Sequence, residues 1–228
     1  MDAREHAELL GPGLIHEMRH PLMGIKAGLE LIARRYPEIA GIEEWDLVSA
    51  QIGRLEELFR TYQDLFRGEP FPADRFAVDA LVKRAVQLVA HRSRKLGPRF
   101  SCVIEPRLPH AFGAPHAVLH ALVNLLANAL DAAEQAGAPA RVEIRAFRAG
   151  RSLEVRVSDD GPGIGQADRL RIFEPGFTTK AKGSGLGLYI ARAAMRRSGG
   201  DVHLIGEADP HRAPWARTEL SVLIPEVP

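Results

Sequence analysis

The segment His16-Glu17-Met18-Arg19-His20-Pro21-Leu22 sets an imidazole and a carboxylate side by side on a predicted helix. A neutral imidazole, with an ordinary pKa of about 6.5, presents a nucleophilic ring nitrogen near neutral pH. Glu17 can take the proton from the other ring nitrogen, given rotamers that bring two adjacent helical residues together. His16 follows Ile15, an apolar seam residue, by about 100° around the helix, so it lies accessible beside the packed stripe. Pro21 removes a backbone donor one turn on and loosens the helix there. The plain alternative is a surface histidine; the chemistry on offer is that of a phosphoryl acceptor.

Three later segments bear on what would supply the phosphoryl group. Asn124 and Asn128 stand four apart on one helix face, flanked by Leu122, Leu125, Leu126 and Leu130. Magnesium takes hard oxygen ligands, and a carboxamide oxygen is one that adds no negative charge beside a triphosphate. A solvent-exposed pair is the other reading. Asp159-Asp160-Gly161-Pro162-Gly163 follows directly on a strand. Its glycines permit positive φ and close approach of a ligand. Asp159 has the D-x-G-x-G spacing, and a buried carboxylate there can accept the exocyclic amine of adenine. A Gly-Pro turn would also explain the segment. Lys182-Gly183-Ser184-Gly185-Leu186-Gly187-Leu188 is a second glycine loop, placed immediately before a helix. Backbone N–H groups at such a helix start attract phosphate. Between the two loops, residues 171–180 read as an irregular lid with apolar anchors Ile172, Phe173 and Phe177. Lys180 or Lys182 can reach a terminal phosphate from it, or simply be solvated.

These residues need a frame, and the chain has two textures that change near residues 67–75. Before the change the apolar residues keep a heptad. Ile15, Met18, Leu22, Ile25, Leu29 and Ile32 form one stripe; Val48, Ile52, Leu55, Phe59, Tyr62 and Phe66 form another. Tyr36-Pro37 and Gly41 connect them into a hairpin. Burying one such side chain is worth ~1.5–3 kcal/mol. The simplest closed solution is therefore two hairpins in a four-helix bundle, against a hairpin packed on its own second domain. After residue 74, helices are expected at 79–95, 115–135 and 186–198. Strands are expected at 100–104, 141–147, 152–158, 201–206 and 218–224. Strands 141–147 and 152–158 alternate as half-buried strands do. The arrangement is an α+β sandwich, a sheet with helices on one face.

Composition narrows the function classes. Among 228 residues, 30 basic and 29 acidic side chains leave a net charge of +1, which argues against a general nucleic-acid or membrane-surface binder. The single cysteine, Cys102, excludes an internal disulfide and reads as a small buried hydrophobe. No apolar run suits a membrane span, and the charged start Met1-Asp2-Ala3-Arg4 lacks a signal-peptide core, so the chain reads as cytoplasmic.

Taken in order, these segments resemble the bacterial two-component sensor histidine kinases. Residues 16–22 resemble the family's H box, 124–132 its N box, 159–163 its G1 box, 172–180 its F box and 183–192 its G2 box. The resemblance covers both halves of the chain. It implies a dimerisation-and-phosphotransfer hairpin over residues 1–67, completed to a four-helix bundle by a second copy. It implies an α/β sandwich of the Bergerat (GHKL) type over residues 74–228, with ATP and Mg2+ as cofactors. By resemblance His16 is the phospho-acceptor and Glu17 its base. Asn128 is the main magnesium ligand with Asn124 beside it, and Asp159 reads adenine. The remaining nucleotide contacts fall on Gly161, Gly163, Phe173, Phe177, Thr179, Lys180, Lys182, Gly183, Gly185, Leu186 and Gly187. The partners implied are a second copy of the chain and a response-regulator receiver domain, whose aspartate is the final acceptor. His20 stands where the family usually carries Asn or Thr, and Gly11-Pro12-Gly13 stands where it usually runs a continuous helix. The sensor would be a missing N-terminal region or a separate protein.

Two other classes compete. A phosphorelay adaptor with a vestigial nucleotide domain would carry degraded glycine and asparagine segments, and these are intact. A chaperone-, topoisomerase- or mismatch-repair-type GHKL ATPase would account for the pocket but not for His16 on a dimerising hairpin.

Overall fold

A computed structural model describes residues 12–39, 42, 44–45, 47–49, 51–53, 55, 73–95, 99–136, 140–180 and 185–226, with 12–20 described by backbone alone. The chain divides into two compact units, Met1–Glu69 and Pro70–Pro228.

In the first unit, helix α1 spans Pro12–Arg35 and carries Pro21 inside it. A 3-10 turn at Pro37–Ile39 follows, and further helical backbone is described at residues 44–45, 47–49, 51–53 and 55. The apolar stripe is only partly covered within the chain. Leu22 is buried, but Ile25 and Ile32 on α1 and Val48 and Leu55 beyond it are exposed. The side chains of Ile15 and Met18, and the seam positions Phe59, Tyr62 and Phe66, lie outside the described residues.

The second unit is an α+β sandwich. Strand β1 (Asp74–Ala77) leads into α2 (Val78–Leu88) and the short α3 (Ala90–Arg94). Then come β2 (Phe100–Ile104), β3 (His110–Gly113) and the long α4 (Pro115–Ala136). Strands β4 (Val142–Ala149) and β5 (Ser152–Asp159) form a hairpin. Helix α5 (Gly187–Arg197), β6 (Asp201–Leu204) and β7 (Thr218–Pro225) close the order. The main sheet runs β2-β4-β5-β7-β6, with β2 parallel to β4 and the other pairs antiparallel. Cross-strand register aligns Ala146, Val155, Val222 and Val202 in one row, all essentially inaccessible. Helices α2 and α5 each pack against α4, and α4 covers this face of the sheet. Its leucines 119, 122, 125, 126 and 130 are fully buried, which anchors the helix rigidly.

The structure departs from expectation in three places. The predicted helix 79–95 is broken at Val89, which leaves the helical region (φ −108°, ψ 8°) and caps both α2 and α3. A small second sheet, β1 with β3, was not anticipated. Cys102 is exposed rather than buried, because β2 is an edge strand with β4 as its one neighbour in the sheet. Among the described residues no helix is long and apolar enough to cross a membrane.

The opposite sheet face is polar yet also covered. Arg156 on β5 is 3% exposed, and its Nε donates to Glu154 Oε1 at 2.8 Å. Its Nη1 donates to Glu219 Oε1 at 3.1 Å and to Asp209 Oδ1 at 3.0 Å. Glu219 is wholly buried and also accepts from Ser158 Oγ (3.0 Å) and the Ala213 N–H (2.9 Å). Asp209 and Ala213 belong to the β6–β7 connection, which therefore lies on this face. Trp215 of the same connection takes the Arg141 guanidinium 4.0 Å from its ring centroid.

Candidate nucleotide site

Asn124, Asn128 and Ala132 lie on one face of α4, four residues apart, and each meets a different segment of the chain. Asn124 faces the start of α5. Its Nδ2 donates to the His120 carbonyl at 3.0 Å and lies 2.8 Å from His120 Nε2. Its Oδ1 is left pointing at Gly187, where a Cβ would come within 2.7 Å of that oxygen. Only glycine lets the N-terminus of α5 approach so closely, and that terminus carries the partial positive charge that suits phosphate.

Asn128 faces the lid. Its Oδ1 accepts a hydrogen bond from Lys180 Nζ at 2.8 Å. The same ammonium pairs with Asp131, whose other oxygen accepts from Arg92 Nη2 at 2.6 Å. Burial alone would raise the Asp131 carboxyl, but the hydrogen bonds from Lys180 and Arg92 outweigh it and hold the group below the usual carboxylate range.

Ala132 faces the first glycine loop. A Cβ at Gly161 would meet Ala132 Cβ at 2.7 Å and Asp159 Oδ1 at 2.9 Å. Asp159 ends β5, is 4% exposed and accepts the Gly161 N–H at 3.0 Å. Burial pushes its carboxyl up to about 6, aided by the charge of Asp160, while the Gly161 N–H and Thr218 pull it down. Gly163 turns the chain away at φ +83°.

The lid is tied down at both ends. Arg171–Phe173 forms a 3-10 turn that buries Ile172, and Phe173 and Phe177 pack half-buried against the core. Arg192 stacks 4.4 Å from the Phe173 centroid, and Arg171 lies 4.6 Å from that of Phe177. The Gly176 N–H donates to the Gly185 carbonyl at 3.2 Å. Gly185 has φ +66°, and a Cβ on it would sit 2.4 Å from the Gly176 carbonyl carbon. Leu186 stands directly before α5 as its N-cap. Thr179 is exposed.

Of the sequence-predicted residues, the structure thus gathers Asn124, Asn128, Asp159, Gly161, Lys180, Gly185 and Gly187 along one helix face and the loops against it. Lys182 and Gly183 lie outside the described residues. His16 and Glu17 are on α1 in the other unit, and their side chains are outside the described part. Sequence reasoning missed Asp131 and Arg92. Asp131 carried a usable signal, because a carboxylate three residues after Asn128 shares its helix face. Arg92 carried none.

Comparison with known proteins adds to this geometry. Residues 113–227 match the family described as histidine kinase-, DNA gyrase B- and HSP90-like ATPases. The sensor histidine kinase ZraS of Escherichia coli K12 is 33% identical over 204 residues, 87% of this chain and 42% of that protein. The nitrogen regulation protein NtrY of Azorhizobium caulinodans is 27% identical over 217 residues, 91% of this chain and 28% of that protein. The chain thus spans less than half the length of these relatives. The solved catalytic domain of histidine kinase ThkA superposes with a TM-score of 0.58 at 24% identity, covering 68% of this chain and 97% of that domain, a likeness of fold.

Proposed function

The chain belongs to the histidine kinase-, DNA gyrase B- and HSP90-like ATPase family, and from that premise we propose that it is the catalytic core of a sensor histidine kinase. It binds ATP with a divalent cation, phosphorylates His16 and passes the phosphoryl group to a response-regulator aspartate. The observation that carries this reading is the single stripe of α4. Asn124, Asn128 and Ala132 bring a helix start, a lysine-bearing lid and a buried aspartate with its glycine turn to one floor.

Each part has a role that its surroundings support. Asp159 accepts a hydrogen bond from the exocyclic amine of adenine, and Gly161 lets the loop beside it settle onto Ala132 of α4. The start of α5, with Gly185, Leu186 and Gly187, receives phosphate oxygens, and Phe173, Phe177 and Thr179 belong to the lid above. Asn128 Oδ1 already accepts from an ammonium, so that oxygen fits a cation. Asn128 would hold Mg2+ beside the phosphates, where the ion offsets the charge of the triphosphate. An imidazole nitrogen of His16 attacks the γ-phosphorus, the bond to the β–γ bridging oxygen breaks and ADP leaves. Glu17 takes the proton from the other ring nitrogen. The exposed stripe of Ile25, Ile32, Val48 and Leu55 supports a homodimer, whose four-helix bundle presents His16. The protein acts on the cytoplasmic side, with input from a sensor region or a separate sensor.

Incubation with γ-labelled ATP and Mg2+ tests the proposal. Acid-labile, base-stable label is expected on the chain, and His16→Gln abolishes it while nucleotide binding stays near normal. Label that persists on His16→Gln refutes the acceptor assignment.

A further inference from the structure

The ammonium of Lys180 occupies the oxygen assigned to the metal. A lysine ammonium has three donors. One goes to Asn128 Oδ1 at 2.8 Å and another to Asp131. Asp131 is itself held from its other side, by Arg92 Nη2 at 2.6 Å, and Arg92 Nε reaches Glu134 Oε1 at 3.1 Å. The four side chains form a chain of alternating sign that ends on a neutral carboxamide oxygen. The Lys180 N–H donates to Thr178 Oγ1 at 3.1 Å, a local turn at the end of the lid.

A partly exposed lysine–aspartate pair is by itself worth little. The third partner makes the difference. Asn128 Oδ1 would serve as a direct oxygen ligand of a divalent cation. An ammonium bonded to that same oxygen would then lie within a few ångströms of the ion, and two cations at that separation repel strongly in a half-buried site. Both cannot hold the oxygen together. With ATP the displaced ammonium has the γ-phosphate to turn to; with ADP it has no such partner and returns to Asn128.

We propose that Lys180, held in place by Asp131, competes with the divalent cation for Asn128 and so weakens the metal-dependent binding of ADP relative to ATP. Lys180 is a specificity-determining residue for nucleotide exchange, and Asp131 is its positioning residue. The inference rests on the assignment of Asn128 as the cation ligand.

The test measures ADP affinity by calorimetry across a range of free Mg2+ concentrations. Lys180→Met is expected to lower the Mg2+ midpoint about tenfold, the effect of one charge-assisted hydrogen bond. Lys180→Gln, which keeps length and polarity, serves if the Met variant fails to fold, and it lowers the midpoint in the same direction. Arg92→Gln removes an equal positive charge from Asp131 but not from Asn128. It leaves Lys180 as the only cation on that carboxylate and is expected to hold the midpoint or raise it. A midpoint unchanged in the Lys180 variants overturns the proposal, and so does an equal lowering in Arg92→Gln, which would mark a general charge effect. Either result leaves the nucleotide site standing. Failure of the parent protein to bind ADP at any Mg2+ concentration overturns the nucleotide site itself, and this proposal with it.

Discussion

Lowering the pH from about 7.5 to about 5 is expected to weaken ATP binding roughly tenfold through Asp159 alone. The carboxyl is 4% exposed, and burial pushes it up to about 6. Adenine's amine needs an acceptor, so the ionised form is the one that binds. Once bonded, the carboxylate returns towards the ordinary value of about 3.9. At one unit below the free protein's value, most of the free sites must lose a proton before binding, which gives the tenfold factor. Calorimetric titration of ATP between those two pH values measures it. The triphosphate titrates in the same range, so Asp159→Asn, which has no carboxyl, supplies the baseline. Parallel pH profiles for the two proteins would refute the assignment. The same group makes a second, oppositely signed prediction for stability. Its folded value is raised above the unfolded one, so its stabilising contribution is complete below about pH 4 and lost as pH rises through about 6. Above that, the ionised buried group costs the fold on the order of 3 kcal/mol. Asp159→Asn should therefore raise the melting temperature at pH near 7.5 and not near 4. A lower melting temperature at neutral pH would show that the charge is better solvated than its burial implies.

Gly185→Ala places a Cβ 2.4 Å from the Gly176 carbonyl carbon at a φ of +66°. It should cut ATP affinity by at least about tenfold, with a strain of ~1–2 kcal/mol from the left-handed backbone alone, and unchanged affinity by calorimetry would remove this loop from the site. Arg156→Met removes the cation bonded to buried Glu154 and leaves buried Glu219 with Arg145 alone, at 3.2 Å. Urea denaturation should show a loss of about 3–5 kcal/mol; a loss below about 1 kcal/mol would mean that the connection over this face is easily hydrated. Ile25→Glu puts a charge on the exposed stripe of α1 and should convert dimer to monomer in analytical ultracentrifugation, and a dimer that survives rejects this seam.

Local spacing exposed what shares one helix or one turn. Asn124 and Asn128 were legible as a pair because four residues make one turn of helix, and Gly161 and Gly185 because glycine runs beside a strand end or a helix start are uncommon without cause. Ala132 was not legible. Its contribution is to be small where Gly161 descends on it, and a methyl group carries no chemical signal. The polar face of the sheet misled for a related reason. Glu154, Arg156 and Ser158 alternate with Leu153, Val155 and Val157, which reads as one wet face and one dry face. Both faces of β5 are dry, because the connection at residues 206–217 brings Asp209 and the Ala213 N–H onto the charges. No period in β5 could announce that cover, since it comes from about fifty residues away in sequence.

The same distinction explains why Lys180 was ambiguous. Its neighbours in sequence show a lysine in an exposed loop, and either solvent or a phosphate would satisfy it. What decides its partner is the Gly176–Gly185 hydrogen bond, which ties the lid back to the second glycine loop, and the rigid burial of α4, which fixes where Asn128 and Asp131 stand. The chemistry of this site resides in short segments. Its wiring, which cation meets which oxygen, is set by contacts that join residues about fifty positions apart, and those contacts put Lys180 on Asn128 and Asp131 rather than leave it a spare charge.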